Sequence, residues 1–266
     1  MTNTQSHHTY RWVGSETSRV NTPTLSTCRD IITGVYGGHT DSGAEKNNDG
    51  CFLLADTDNM WEFAVLLSAN NTAQSALLIL EFLTFVQPKL VDFMQEPASF
   101  AFPRIQSYLL EHLDSKDFRT QARHVYGESA VLLCARKGGF IWWLNIGMNS
   151  LYLLHPDFMD SGQFAVNQPV PFESIGRSNT FDAPIPGYAS GVRPLRPGKN
   201  HLLMATNSFH RFANSPFTDP ALVYTWFNDN DRPLAESIQI ALLEAHKAQS
   251  QTPVTLVGWT VDTETP

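Results

Sequence analysis

The stretch ESAVLLCARKGGFIWWLNIG, residues 128–147, is two apolar runs joined by Lys137-Gly138-Gly139. A glycine pair supplies the backbone freedom that a tight antiparallel hairpin demands. The runs are rich in Val, Leu, Ile and Trp, and aromatics at this density mark a buried sheet. SLYLLHP (150–156) continues the β pattern. Upstream, DIITGVY (30–36), CFLLAD (51–56, after an Asn/Asp/Gly cluster) and WEFAVLL (61–67) read as short strands and antiparallel neighbours. A helical block follows, with Leu78 or Ile79, Phe82, Val86, Leu90 and Phe93 three and four apart and Pro88 expected to kink or divide it. A second block covers about Pro103 to Val125. Beyond the hairpin, the Pro/Gly-rich segment 166–197 suits an irregular surface excursion and is the candidate for a mobile flap. Then come a strand at His201–Thr206, the run ALVYTWF (221–227), a helix LAESIQIALLEAHKA (234–248) that Asp231 could cap with Pro233 in its first turn, and a last strand PVTLVGWTV (253–261). Hairpins separated by paired helices do not suit a doubly wound parallel sheet; they predict an α+β fold with two antiparallel sheets flanked by helices. The Ser, Thr and Asn content of the start of the chain predicts a loosely ordered segment at 1–28, leaving 29–266 as a single domain.

Bulk composition narrows the function. With 266 residues, 42% of them hydrophobic, the chain can bury a sizeable core. A net charge of −8 with no Lys/Arg cluster argues against a nucleic-acid partner. Cys28, Cys51 and Cys134 are widely spaced and form no C-x-x-C pair, so no disulfide framework or zinc site is indicated and a cytoplasmic protein is expected. The N-terminus lacks the basic start and apolar stretch of a signal peptide, and no run reaches the ~18 apolar residues of a membrane span, so no membrane partner is expected. Gly38 and Gly43 have phosphate-loop spacing, but Ala44-Glu45 replaces the Lys-Ser/Thr that would hold phosphate and magnesium.

Five segments occur in order: GGHTDSGAEKNNDGCFLL (37–54), EFAVLLSANNTAQSA (62–76), GESAVLLCARKGGFIWWLNIGMNSLYLL (127–154), RPLRPGKNHLLMATNSF (193–209) and TPVTLVGWTV (252–261). Together they resemble the metal-dependent (PPM-type, protein phosphatase 2C-like) Ser/Thr protein phosphatases. The resemblance covers the chain from about residue 30 onward and implies a four-layer α-β-β-α sandwich with a two-metal centre at one edge of the paired sheets. In such a centre, carboxylates hold two divalent cations that activate a bridging water. Carried over by position, the family's N-E-D falls on Asn47, Asn48 and Asp49, so the one acid kept is Asp49. Its D-G-H falls on Ser68, Ala69 and Asn70, or one residue earlier from Leu67. Its G-D-S falls on Gly147, Met148 and Asn149, its T-D-G on Thr206, Asn207 and Ser208, and its final D-N on Thr252 and Pro253. The phosphate-binding arginine has no clear counterpart, with Lys46 the nearest cation.

Neutral oxygens are poor ligands for hard dications, and each lost carboxylate costs several kcal/mol of binding. The leading expectation is therefore a catalytically inactive pseudophosphatase, a binding or regulatory module for a protein partner with no resident cofactor. The alternative is a weak or altered Mn- or Mg-dependent phosphatase using Asp49 with rearranged acids such as Asp41, Asp56 or Asp58. A third possibility is a vacated cleft that accepts a neutral or anionic small molecule. Each residue also has a plain structural role to weigh. Asp49 sits in a turn sequence whose residues commonly bond their own backbone. Ser68, Asn70 and Asn71 suit a cap for the following helix. Met148 suits apolar filling, and His210 a surface or core-edge position.

Overall fold

In strand β5 (Trp61–Ala69) every residue except Ser68 is buried. Trp61, Phe63, Val65 and Leu67 pack in one apolar cluster, and Ala64 and Leu66 in another. A strand apolar on both faces must be covered on both. The computed structural model describes residues 7–56, 58, 60–228 and 232–264. In it β5 is central to a seven-stranded antiparallel sheet in the order β1-β4-β5-β6-β7-β10, with β9 paired to the start of β6. These strands are β1 (His7–Val13), β4 (Gly50–Asp56), β6 (Glu128–Lys137), β7 (Phe140–Ile146), β9 (Ile175–Gly176) and β10 (Ala189–Pro194). A five-stranded antiparallel sheet, ordered β2-β3-β12-β11-β8, lies against it: β2 (Thr24–Cys28), β3 (Ile31–Tyr36), β8 (Ser150–Leu154), β11 (Gly198–Ala205) and β12 (Val254–Thr263).

Helices α1 (Gln74–Met94), α2 (Ala98–Leu113) and α3 (Lys116–His124) cover the larger sheet, sharing a core of Leu80, Leu83, Phe102 and Leu109 with its outer face. Helices α4 (Pro220–Phe227) and α5 (Leu234–Lys247) cover the smaller one, where Ile238 and Leu242 close over Gly34; a Cβ at Gly34 would lie 2.4 Å from Ile238. The architecture is α-β-β-α, as the sequence predicts. The hairpin is also as expected: Lys137 pairs with Phe140 across Gly138-Gly139, and Gly138 has φ +55°.

Several expectations need correction. The expected loose segment 1–28 includes two paired strands among its described residues: 7–13 pair along β4 and 24–28 along β3, because Trp12, Val13 and Cys28 reach the core despite polar neighbours. β3 is not a neighbour of β4; it lies in the other sheet beside β12. Pro88 does not divide α1, because it sits on the exposed face while Val86 and Leu90 stay buried. The second helical block is two helices beginning at Ala98, with Ser115 capping α3 through the Phe118 N–H at 3.2 Å. The segment 166–197 does not stand off the fold. It contributes β9 and β10, buries Ile175 and Phe181, and ties Asp182 to Arg119 at 2.9 Å and Arg123 at 2.7 Å. Pro233 is the cap residue of α5 rather than part of its first turn, and Asp231 lies outside the described residues.

One ion pair is sealed between the sheets. Glu62 and Arg136 are directly opposite across β5 and β6, on the face turned toward the smaller sheet. The guanidinium grips both carboxylate oxygens, with Nε donating to Oε2 at 2.5 Å and Nη2 to Oε1, while Nη1 donates to the Met60 carbonyl at 3.2 Å. Burial pushes the Glu62 carboxyl up, and the guanidinium pulls it back down. Removing one member of such a pair strands the other charge, whereas replacing both with apolar groups is close to neutral. Arg136→Met is expected to lose about 3–5 kcal/mol of unfolding free energy in urea, and Glu62→Leu combined with Arg136→Met to recover most of it.

Candidate functional site

The antiparallel pairings bring one set of strand ends to a common edge of the sandwich. There β4 and β12 begin, β5 and β11 finish, β6 and β8 start, and β7 gives way to Gly147. A cavity of about 360 Å³ opens at this edge, and Ser68, Asn70, Met148 and Asn207 line it together, with Gly147 and Asn149 from the same turn. Four positions scattered over 140 residues of sequence thus converge on one cleft. Gly147 has φ +95°, and a Cβ there would lie 2.6 Å from the Ala130 Cβ, so the turn carrying Met148 requires glycine.

Asp49 is fully enclosed beneath this edge, at the mouth of β4. The Thr255 hydroxyl donates to its Oδ2 at 2.8 Å. The turn character of the segment belongs to Asn47, whose Oδ1 accepts the Asp49 N–H at 2.9 Å; the Asp49 side chain reaches across to the other sheet instead. Burial pushes the Asp49 carboxyl up to about 7, against hydrogen bonds from Thr255, Ser68 and the Ala69 backbone. Thr255 and Thr206 lock together, with Thr206 N–H donating to the Thr255 carbonyl and Thr255 N–H to Thr206 Oγ1, each at 3.1 Å. The Ser208 hydroxyl donates to the Pro253 carbonyl.

The remaining positions divide cleanly. Asn48, Ala69, Ser208 and Thr252 do not line the cavity; Ala69 is in the helix-side core, and Thr252 is exposed. Leu67 also points into that core, which leaves Ser68 as the cleft-facing residue of its segment. Lys46 is exposed and donates to the Asn71 carbonyl outside the cavity. Neither Ser68, Asn70 nor Asn71 caps α1: Ala73 is its cap residue and makes no side-chain cap bond, while Thr72 Oγ1 accepts from the Gln74 N–H at 3.3 Å. Met148 is not core filler but lines a mainly polar cavity. His210 is a core-edge residue held by the Phe217 carbonyl at 2.7 Å and Ser150 at 3.2 Å. Asp56 and Asp58 lie at the far end of β4, and Asp41 sits beside His39, so none joins Asp49.

Sequence reasoning missed Thr255, which is the carboxylate's partner, and two acids of the cavity wall, Glu128 and Glu173. Glu128 is the first residue of β6, and Glu173 comes from the segment read as a flap. No local pattern announces either one: Glu128 pairs with Gly176 of β9, and Glu173 comes just ahead of that strand.

No family model and no curated protein sequence matches the chain. Solved structures do. A bacterial serine phosphatase is 11% identical with TM-score 0.57, over 89% of this chain and 99% of that one. The serine-threonine phosphatase 2C of Toxoplasma gondii is 11% identical with TM-score 0.56, over 94% and 98%. RsbX, solved in complex with magnesium, is 10% identical with TM-score 0.55, over 90% and 100%. The chain has the fold of the PPM-type Ser/Thr phosphatases. At such identities the likeness is one of fold, and chemistry must come from the residues in the cleft.

Those residues do not suit the PPM two-metal centre. Asp49 Oδ2 accepts from Thr255, and the cleft-facing family positions carry a hydroxyl, amides and a thioether in place of carboxylates. Among the described residues, no group of three or more His, Cys, Asp or Glu could hold a metal ion. No helix among them is long and apolar enough to cross a membrane.

The raised Asp49 pKa has a signed consequence. A carboxyl at about 7 when folded and 3.8 as its ordinary value contributes stability below about pH 4 that is lost progressively as pH rises to about 7. Relative to the parent, Asp49→Asn is expected to gain roughly 2–3 kcal/mol of unfolding free energy between about pH 5 and pH 7.5, with no further gain above. A constant offset between the two proteins over that range would contradict the assignment.

Proposed function

We propose that this chain is a catalytically inactive member of the PPM phosphatase fold, a pseudophosphatase that acts by binding a protein partner. The observation that carries this reading is the state of Asp49. The one acid the family motif leaves in this chain is sealed under the cleft and bonded to a threonine, with burial pushing its carboxyl up to about 7. Two dications bring a charge of about +4, which that single carboxyl cannot balance. Asn207 supports the reading independently, because it lines the cavity with the shape of an aspartate and none of its charge. The net charge of −8 and the three free, buried thiols are in keeping with a cytoplasmic setting away from nucleic acid.

The competing reading, a weak Mn- or Mg-dependent phosphatase, has one observation in its favour: Glu128 and Glu173 line the cavity. They lie at other positions than the family's acids, so such an enzyme would need a rearranged metal site. The purified chain with excess manganese is expected to hydrolyse neither p-nitrophenyl phosphate nor a phosphoserine peptide above the protein-free rate. Turnover that disappears in Asp49→Ala would establish the enzyme reading instead.

A further inference from the structure

Ser150 opens β8, and His210 closes the short 3₁₀ turn Asn207–His210 that follows β11. Ser150 pairs with Ala205 across β8 and β11, so this turn carries His210 back beside the serine. Ser150 Oγ lies 3.2 Å from His210 Nε2, and His210 Nδ1 donates to the Phe217 carbonyl at 2.7 Å. A carbonyl only accepts, so Nδ1 carries the proton of the neutral ring and Nε2 presents its lone pair to the serine. Burial lowers the imidazole from its ordinary value of 6.5, against the raising effect of the Phe217 bond, so Nε2 is free of a proton at neutral pH.

Tyr152, two residues along the same face of β8, brings its hydroxyl to 3.3 Å from the same nitrogen. Burial pushes that phenol up to about 12, so it stays a neutral donor. Tyr152 is buried, whereas Ser150 and His210 are each half-buried. The nearby Ser208 and Ser215 donate to backbone carbonyls; Ser150 faces a base. A hydroxyl set against a neutral imidazole, whose far nitrogen is pinned by an acceptor, is the arrangement that makes a serine nucleophilic. We propose that Ser150 and His210 are a nucleophile and its general base, acting on carboxylic esters beside the cleft, which the adjoining Asn149 and the same turn's Asn207 line. Ser150 Oγ bonds to the acyl carbon as its proton passes to His210 Nε2. The ester C–O bond then breaks, and the alcohol leaves with that proton. Water, deprotonated by the same nitrogen, hydrolyses the acyl-serine and restores the pair. This activity uses neither Asp49 nor a metal ion, so it stands or falls apart from the reading of the chain as an inactive phosphatase.

Incubation of the full chain with a fluorophosphonate in EDTA, followed by peptide mass mapping, tests the assignment without any variant. An adduct on Ser150 is expected, and it should form about 100-fold more slowly in His210→Gln, at a melting temperature matching the parent. Hydrolysis of p-nitrophenyl acetate above the protein-free rate is expected under the same conditions, and Ser150→Ala should abolish it. No adduct, an adduct on another serine, or ester hydrolysis unchanged in Ser150→Ala would overturn the proposal. Turnover of a phosphoserine peptide with manganese would instead remove the inactive-phosphatase reading and leave this one standing.

Discussion

The seven-stranded sheet is covered on both faces, and most of the molecule follows from that constraint. β5 cannot alternate polar and apolar residues, because one face meets α1 and the other meets the smaller sheet. Its one half-buried residue, Ser68, comes at the end of the strand, where the sandwich opens. Two sets of polar groups inside the sandwich satisfy one another. Glu62 and Arg136 satisfy each other far from the cleft, and Thr206, Thr255 and Asp49 do so beneath it.

That lower set ties the two sheets together beneath the cleft. Strand ends from both sheets deliver backbone to one edge, and the hydroxyls there bind backbone across the gap: Thr206 to the residue 255 backbone and Ser208 to the Pro253 carbonyl. Asp49 joins the two sheets through Thr255. Burial favours the neutral form of this carboxyl, while the hydrogen bonds it accepts favour the ionised one, as a metal ion would. The same groups hold the edge together.

Much of the architecture was legible because its signals are local. Gly138-Gly139 between two apolar runs fixes a hairpin whatever surrounds it. Partner choice is not local: nothing in DIITGVY says that β3 pairs with β12, more than 200 residues on, rather than with β4. Residues 7–28 and 166–197 looked irregular because their polar residues outnumber the few, such as Trp12, Val13, Ile175 and Phe181, that anchor them to the core. In the cleft, Ser68, Met148 and Asn207 could be found because each lies at or beside a strand end in a motif. Thr255 lies within an apolar strand, Glu128 reads as the edge of one, and Asn149 shows its unpartnered oxygen only in three dimensions.

Whether the single buried acid Asp49 can support a two-metal centre is tested most directly by counting metal ions. Calorimetric titration of the purified chain with manganese at neutral pH should show no saturable uptake, in the parent and in Asp49→Ala alike. Two saturable sites per chain, lost when Asp49 is replaced by alanine, would contradict the inactive reading.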